Sequence, residues 1–296
     1  MTAFSPTDAA FEGYRITREK PKAILVWAGI YLAISLIMPL LLVSVGGENL
    51  AALEEMAETQ SPDPETALAN LRALAPVYAI MIPVGLLIQA ALAAAVYRIV
   101  LRPSDTGFAY LRLGRDELRL VALTLIYAVL LVFAVVALVI VGGVAAGIVN
   151  APLFGLGLGV FLIGLLIYAA VRLSLAPVIT FAEQRISVFD SWSLTKGQFW
   201  RLFGAYVLAV ASVIVVLLLA LVLFVAIAAI LLGGDIEAVG RLFSPDLRSI
   251  QTYFSPAMLA YLVFAALLNV VYYAVLIAPA AVAYRALADR PPVPEA

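Results

Sequence analysis

The chain has 296 residues, of which 65% are hydrophobic and 12% charged, with a formal net charge of −1 and a mean hydropathy of +1.10. Soluble domains carry about 25% charged residues, so this composition predicts a membrane protein, and its near-neutral charge argues against nucleic acid as a partner. Cysteine and histidine are both absent, which excludes disulfides, thiolate chemistry and the commonest general base and metal ligand. We therefore expect no metal and no cofactor.

Six apolar segments are each long enough to cross the bilayer, which takes about 20 residues of helix. They cover residues 23–45, 76–101, 119–147, 153–177, 203–233 and 257–281. The pattern predicts an all-α, polytopic integral membrane protein with six transmembrane helices. We expect a polar head over 1–22, one transmembrane domain over 23–285 and a disordered tail over 286–296. The first segment is longer than the apolar core of a secretory signal, about 7–15 residues, and is interpreted as a retained membrane helix.

The loop after the first segment, residues 46–75, is rich in aspartate and glutamate. Its composition predicts two short helices, over 48–59 and 64–74. Asp63 is the expected cap of the second helix, and Pro64 would occupy its first position, where proline is favoured.

The third and fourth segments are separated by a short turn near Pro152, which predicts a tight hairpin. Gly143 and Gly147 are four residues apart, as are Gly155 and Gly159. Small residues at this spacing let helix backbones approach closely in lipid. We favour packing inside the hairpin as their role, and a dimer interface is the alternative.

The even-numbered segments share an ending in which a proline follows an aliphatic residue by two positions. The three endings are Leu101-Arg102-Pro103, Leu175-Ala176-Pro177 and Ile277-Ala278-Pro279. Because proline removes a helical hydrogen bond and clashes with the preceding turn, it breaks or kinks a helix. The chain is therefore predicted to form three hairpins.

Basic residues are distributed unevenly between the two sides of the predicted helices. The chain has 18 lysines and arginines. Of these, 15 lie in the head, in the tail or around the connectors that follow the second and fourth segments, and three lie in the loops after the odd segments. Cytoplasmic loops carry such an excess, so both termini are predicted to be cytoplasmic, with loops 46–75 and 234–255 outside. A short helix is expected near 235–243.

A cap-like sequence precedes each odd-numbered segment. Thr195 with Gln198, and Gly114 with Glu117, have the spacing of a capping box, in which the third helical residue bonds back to the cap. Thr17 is a weaker candidate at the first segment. Helix starts in lipid must satisfy their free N–H groups at the interface, so caps are expected there.

Basic and aromatic residues at the cytoplasmic ends of the helices are the candidate contacts for anionic lipid. Arg98 and Arg172 lie about one turn inside the boundary, where they can extend to the interface or, alternatively, clamp a lipid headgroup between helices. The connector before the fifth segment adds an interfacial belt with basic anchors. The candidate lipid contacts are Arg98, Arg172, Trp192, Lys196, Trp200 and Arg201.

Two amides, Gln89 and Asn269, lie in the interiors of apolar segments. We favour hydrogen bonding between helices as their role, and the lining of a solute path is the alternative. No ionisable residue lies near the middle of any segment, which argues against an ion-coupled transporter. Glu183 and Asp190 are acids seven residues apart on a connector, but no Walker loop, nucleophile elbow or metal-ligand cluster accompanies them, so no catalytic residue is assigned.

One stretch supports a family resemblance. Arg172-Leu-Ser-Leu-Ala-Pro177, followed by Phe189-Asp-Ser-Trp-Ser-Leu-Thr-Lys-Gly-Gln-Phe-Trp-Arg201, resembles a signature of the multi-pass domain fused to some bacterial glycerophosphodiester phosphodiesterases and of YciC-like bacterial inner-membrane proteins. The resemblance is sharpest over 172–204 and extends loosely over the rest through the six-helix architecture. It implies the bacterial cytoplasmic membrane. It does not imply phosphodiesterase activity, because that belongs to a separate soluble domain for which this chain has no room.

These observations favour a non-enzymatic membrane protein that acts as a scaffold, a lipid-interacting module or an accessory subunit. The alternatives are a permease for a small or amphiphilic solute and, less favoured, a membrane enzyme acting on lipid. The expected partners are membrane lipids, with other membrane proteins or a second copy of the chain as further candidates.

Overall fold

The protein is described by a computed structural model, which covers residues 4–58, 64–149, 152–243 and 254–288. Within these ranges the chain forms ten α-helices and no strand. The helices are α1 (Pro6–Glu19), α2 (Pro21–Glu58), α3 (Pro64–Leu101), α4 (Arg115–Val149), α5 (Pro152–Leu173), α6 (Ala176–Glu183), α7 (Asp190–Leu194), α8 (Phe199–Leu231), α9 (Ile236–Arg241) and α10 (Pro256–Ala288).

Six helical stretches are long and apolar enough to cross a membrane. They lie in α2, α3, α4, α5 with α6, α8 and α10, at the positions of the six predicted segments. An α-helix satisfies its backbone groups internally, which is what a chain in hydrocarbon requires. The predicted fold class, an all-α polytopic membrane protein, is confirmed.

The acidic loop differs from the prediction. The short helices expected over 48–59 and 64–74 are not separate elements, because α2 continues to Glu58 and α3 already begins at Pro64. Alanine, leucine and glutamate propagate a helix well, and extending an existing helix avoids the cost of a new nucleus. Pro64 does occupy the first helical position, whereas its proposed cap Asp63 lies outside the described residues.

The head is not simply polar, because most of it forms α1. Ala9, Ala10, Glu12 and Ile16 are buried and follow one another at helical spacing. This pattern marks an amphipathic helix with one covered face. Thr17 lies inside α1, so its predicted role as a cap for the next helix is wrong.

The proline endings behave in three different ways. α3 stops at Leu101, two residues before its proline, as predicted. α5 stops at Leu173, and Pro177 lies in the first turn of the new helix α6, where the missing N–H costs nothing. Pro279 lies inside α10, which continues to Ala288 and so includes the start of the predicted tail.

The predicted hairpin of the third and fourth segments is present, since α4 and α5 flank the turn and contact each other. Three of its four predicted glycines do not make the expected contacts. A Cβ atom built on Gly143, Gly155 or Gly159 would meet no atom within 4 Å, so internal packing is the wrong reading of these three. Gly142 is the glycine of α4 that faces α5, because its Cβ would lie 3.7 Å from Leu162. The surroundings of Gly147 lie outside the described side chains.

In the loop that follows the fifth apolar segment, the predicted short helix is confirmed as α9. The carboxylate of Asp235 caps it by accepting the N–H of Ala238 at 2.9 Å. Such a cap stabilises a helix by about 1 kcal/mol.

The chain divides into two compact units. The first contains Met1–Arg15, Gln89–Val210 and Val275–Ala296, and the second contains Ile16–Ile88 and Ala211–Ala274. In the first unit α6 is almost entirely buried and contacts α4 and α7. This arrangement places the connectors that follow α3 and α5 around a single short core helix.

Candidate functional site

A buried ion pair joins the end of α3 to the start of α4. The guanidinium of Arg98 is 3% exposed and pairs with the fully buried carboxylate of Glu117. The second carboxylate oxygen accepts the N–H of Gly114 at 2.8 Å, which confirms the capping interaction predicted there. Glu117 therefore caps the start of α4 and also provides the counter-charge for the buried Arg98 guanidinium.

The turn between these helices provides another acceptor for the same arginine. Phe108, Ala109 and Tyr110 all have positive φ angles of 40–65°, a left-handed conformation that is unfavourable for residues with a Cβ atom. In this conformation the carbonyl of Tyr110 accepts a 2.8 Å hydrogen bond from Arg98. The left-handed turn thus supplies one of the acceptors of the buried guanidinium.

Phe181 of α6 stacks against two arginines. The guanidinium carbons of Arg98 and Arg102 lie 5.5 and 4.7 Å from its ring centre. Tyr97 packs on the same ring, with centroids 5.7 Å apart. An aromatic face attracts a cation more strongly when both are withdrawn from water, so α6 contributes to holding the basic end of α3 in place.

The second buried arginine, Arg172, is held by the connector that carries the family resemblance. Its guanidinium lies 4.9 Å from the Trp192 ring and donates to the Trp192 carbonyl at 2.5 Å, while its Nε has no partner among the described residues. The Arg172 carbonyl accepts the hydroxyls of Ser191 at 2.7 Å and Thr195 at 3.1 Å. Leu175 closes the network by donating its N–H to Ser191.

This network overturns the capping box predicted for the fifth segment. Thr195 is fully buried at the end of α7, and its hydroxyl donates to the Ser191 carbonyl at 2.7 Å rather than accepting from the next helix. α8 begins four residues later, at Phe199, and Gln198 has a buried side-chain oxygen without a partner among the described residues. The Thr195 hydroxyl bonds to the Ser191 carbonyl within its own helical turn, and so does not cap α8.

Aromatic rings surround the start of α8. Phe199 contacts Tyr168, Trp200 and Phe203, with centroid distances of 5.0, 5.1 and 5.7 Å. Tyr168 also packs edge-on against Trp192 at 5.7 Å. Rings of this kind are enriched at the membrane–water interface.

The predicted lipid contacts fall into a buried and an exposed group. Arg98 and Arg172 are buried with partners from the chain, so the prediction that they extend to the interface is wrong. Lys196, Trp200 and Arg201 are exposed, Trp200 by 77%, and neither basic side chain is paired with an acid among the described residues. We call Lys196, Trp200 and Arg201 the basic-aromatic rim.

The two amides have different environments. Gln89 is exposed on α3, so the structure does not support the predicted hydrogen bond to another helix of the chain. Asn269 lines a groove of about 430 Å³ in the second unit. The other lining residues are Leu217, Leu221, Phe243, Tyr261, Phe264, Ala265, Leu268 and Tyr272. The groove residues of α10 recur at helical spacing from Tyr261 to Tyr272, so the sequence carries a signal for their common face.

The acids noted on the connector form an exposed cluster around Arg185. Its guanidinium lies 2.6 Å from both Glu183 and Asp190. The pKa of Asp190 lies below its usual value because the Ser187 hydroxyl and the Arg185 guanidinium lie beside the carboxylate, and the Arg185 contact has hydrogen-bond geometry. Conversely, the contact with Asp190 raises the pKa of Arg185. No group of acids suited to a metal ion occurs in the described ranges.

Comparison with family models, curated proteins and solved structures finds no match for this chain. The resemblance over residues 172–204 therefore stays a prediction. The candidate site is interpreted from its own geometry.

Proposed function

We propose that this chain is a non-enzymatic, multi-pass protein of the bacterial cytoplasmic membrane that binds anionic lipid through the basic-aromatic rim, as a scaffold or accessory module. The resemblance over residues 172–204 and the excess of basic residues on one side support this membrane and cytoplasmic termini. Anionic lipids concentrate at the cytoplasmic leaflet, where a basic segment is attracted to the surface.

The exposure of the rim carries the proposal. Neither Lys196 nor Arg201 forms an ion pair with an acid among the described residues, in contrast to Arg112 and Arg185, which are exposed but paired with Asp105 and with Glu183 and Asp190. A cation without an acidic partner can pair with a phosphate headgroup, and the exposed tryptophan beside it can lie where the headgroups meet the acyl chains. The buried network of Arg172 and Thr195 fixes the backbone next to the rim.

The test is lipid retention by the purified protein. Wild type and the double variant Lys196→Gln/Arg201→Gln are placed in nanodiscs with equal phosphatidylglycerol and phosphatidylcholine, extracted gently and analysed by native mass spectrometry. Each basic residue near an anionic surface contributes about 1 kcal/mol. We expect the double variant to lose about 30-fold of its preference for phosphatidylglycerol.

A matched control separates rim binding from general charge. Arg185→Gln also removes an exposed cation from the connector, but one that is already paired with two acids. It should leave the lipid preference unchanged. The proposal fails if the double variant keeps the wild-type preference, or if Arg185→Gln reduces it as much.

The groove at Asn269 favours a second candidate, a permease for a small or amphiphilic solute. Ligand sites are largely apolar with a few placed polar groups, as this groove is. If proteoliposomes containing the wild-type chain take up a solute and those containing Asn269→Leu do not, the permease is supported over the scaffold.

A further inference from the structure

We propose that the groove between α8 and α10 is a binding site for a neutral amphiphile, with one uncharged hydrogen-bonding head on Asn269 and an apolar chain along the aromatic wall. The inference rests on the proposed lipid interaction in that the ligand reaches the groove from the bilayer. It concerns a different part of the chain and a different lipid chemistry from the basic-aromatic rim.

Aromatic rings form one wall of the groove. Phe264 stacks on Phe224 with centroids 4.7 Å apart, and Phe243 packs edge-on against Tyr261 at 5.4 Å. Phe224 also lies 5.6 Å from Tyr261, so these four rings form a continuous cluster. Contacts between these rings stabilise their arrangement along the groove.

Asn269 points to a ligand with its own polar group. It lies near the middle of α10, is partly exposed and has no hydrogen-bond partner among the described residues. An amide left unpaired in an apolar environment is costly, and the cost is removed by a ligand that both donates and accepts. Tyr261 and Tyr272 belong to the same lining, and each carries a hydroxyl donor.

The lining also decides the charge of the ligand. Every residue that lines the groove is uncharged. A carboxylate or ammonium group would have to be desolvated there without an opposite charge, which is strongly unfavourable. A hydroxyl or ester head is therefore accepted where an ion is rejected, and the volume of about 430 Å³ falls within the range of small-molecule sites, about 300–1,000 Å³.

The test uses 1-oleoylglycerol with a diazirine in its acyl chain, in phosphatidylcholine nanodiscs, with the matching diazirine oleate as the charged probe. Light should label wild-type peptides from α8 and α10, more strongly with the glycerol ester than with oleate. Asn269→Leu, which keeps the size and removes the amide, should lower labelling by about 2- to 10-fold, the worth of one hydrogen bond. Gln89→Leu is the matched control and should leave labelling unchanged.

A second substitution tests the groove itself. Ala265→Phe should fill it and remove labelling, whereas Val263→Phe, two residues away and outside the lining, should not. If Ala265→Phe does not fold, Ala265→Leu takes its place with a partial loss expected. Equal labelling of wild type, Asn269→Leu and the filled variant overturns the proposal, as does labelling by oleate at the level of the ester. Retention of phosphatidylglycerol, measured on the same samples, reports separately on the basic-aromatic rim.

Discussion

The two buried arginines of the first unit are compensated in different ways. Arg98 faces a carboxylate, whereas Arg172 has a backbone carbonyl and the face of Trp192. A carboxylate cancels the charge, while carbonyl and ring dipoles reduce its cost in part. At the scale of single residues, removing either Arg98 or Glu117 therefore leaves the other as a buried charge without its partner.

Removing one charge of the buried pair should be costly. Glu117→Gln keeps an acceptor for the Gly114 N–H and leaves Arg98 without its counter-charge, so we expect the free energy of unfolding to fall by about 3–5 kcal/mol. Arg98→Met/Glu117→Gln should lose less than the two single variants together. Thermal unfolding in nanodiscs measures both. Arg119→Met, from the partly buried pair with Asp116, should cost less than Glu117→Gln, and additivity at the buried pair would contradict the prediction.

Thr195 provides a test of the hydroxyl network. Thr195→Val keeps the shape and removes the donor to Ser191 and Arg172, and should lower the free energy of unfolding by about 1–3 kcal/mol. Thr195→Ser keeps the donor and loses one buried methyl group, worth about 0.8 kcal/mol. Unfolding in nanodiscs gives both values. Equal losses would mean that the methyl group, not the hydroxyl, stabilises this turn.

The exposed connector should respond to acid. Because the folded pKa of Asp190 lies below its usual 3.8, the carboxylate stabilises the connector above that pH and the contribution is lost as the pH falls through the folded pKa. Carboxyl-carbon NMR should show Asp190 titrating below 3.8, and Ser187→Ala or Arg185→Gln should raise its pKa. An unchanged pKa in both variants would show that neither neighbour causes the shift.

At the scale of whole elements, α2 and α3 are the longest helices in the described part of the chain. α2 and α3 each contain 38 residues, about 57 Å of helix, against about 30 Å of hydrocarbon. The acidic residues that end α2 and begin α3 therefore extend beyond the apolar part of each helix. These residues continue α2 and α3, so the two short loop helices predicted from the sequence are not separate elements.

The glycines of α4 and α5 yield a prediction about packing. Gly155→Leu and Gly159→Leu project into open space and should leave thermal stability in detergent unchanged or slightly higher, since glycine weakens a helix. Gly142→Leu should destabilise by about 1–3 kcal/mol, because its Cβ already lies 3.7 Å from Leu162. Size-exclusion light scattering adds the oligomeric state. Destabilisation at Gly155 or Gly159 without a change in oligomer size would contradict the open faces.

At the scale of the whole molecule, the distribution of charge predicts orientation. Fifteen of 18 basic residues flank one side of the predicted helices, so we expect the α2–α3 and α9 regions outside and the α3–α4 connector inside. The absence of cysteine makes single-cysteine labelling clean. Glu65→Cys and Arg241→Cys should react with an impermeant thiol reagent on intact cells, and Arg112→Cys should react after lysis alone. The reverse pattern would invert the topology.

The six helices and one cap were accessible from the sequence because both depend on neighbours along the chain. Apolar length requires helices in lipid, whose hydrogen bonds span four residues, and the bond between Gly114 and Glu117 spans three. Likewise, Pro64 and Asp235 mark helix starts by local chemistry.

Tertiary structure decided which polar groups meet. Arg98 finds Glu117 19 residues away, Thr195 bonds to Arg172 across 23, and the groove at Asn269 includes Leu217 from another helix. Hydropathy places such side chains at a depth in the bilayer but does not specify the neighbouring helix. A buried charge or hydroxyl takes the nearest partner in space, and that partner exists after the helices have packed.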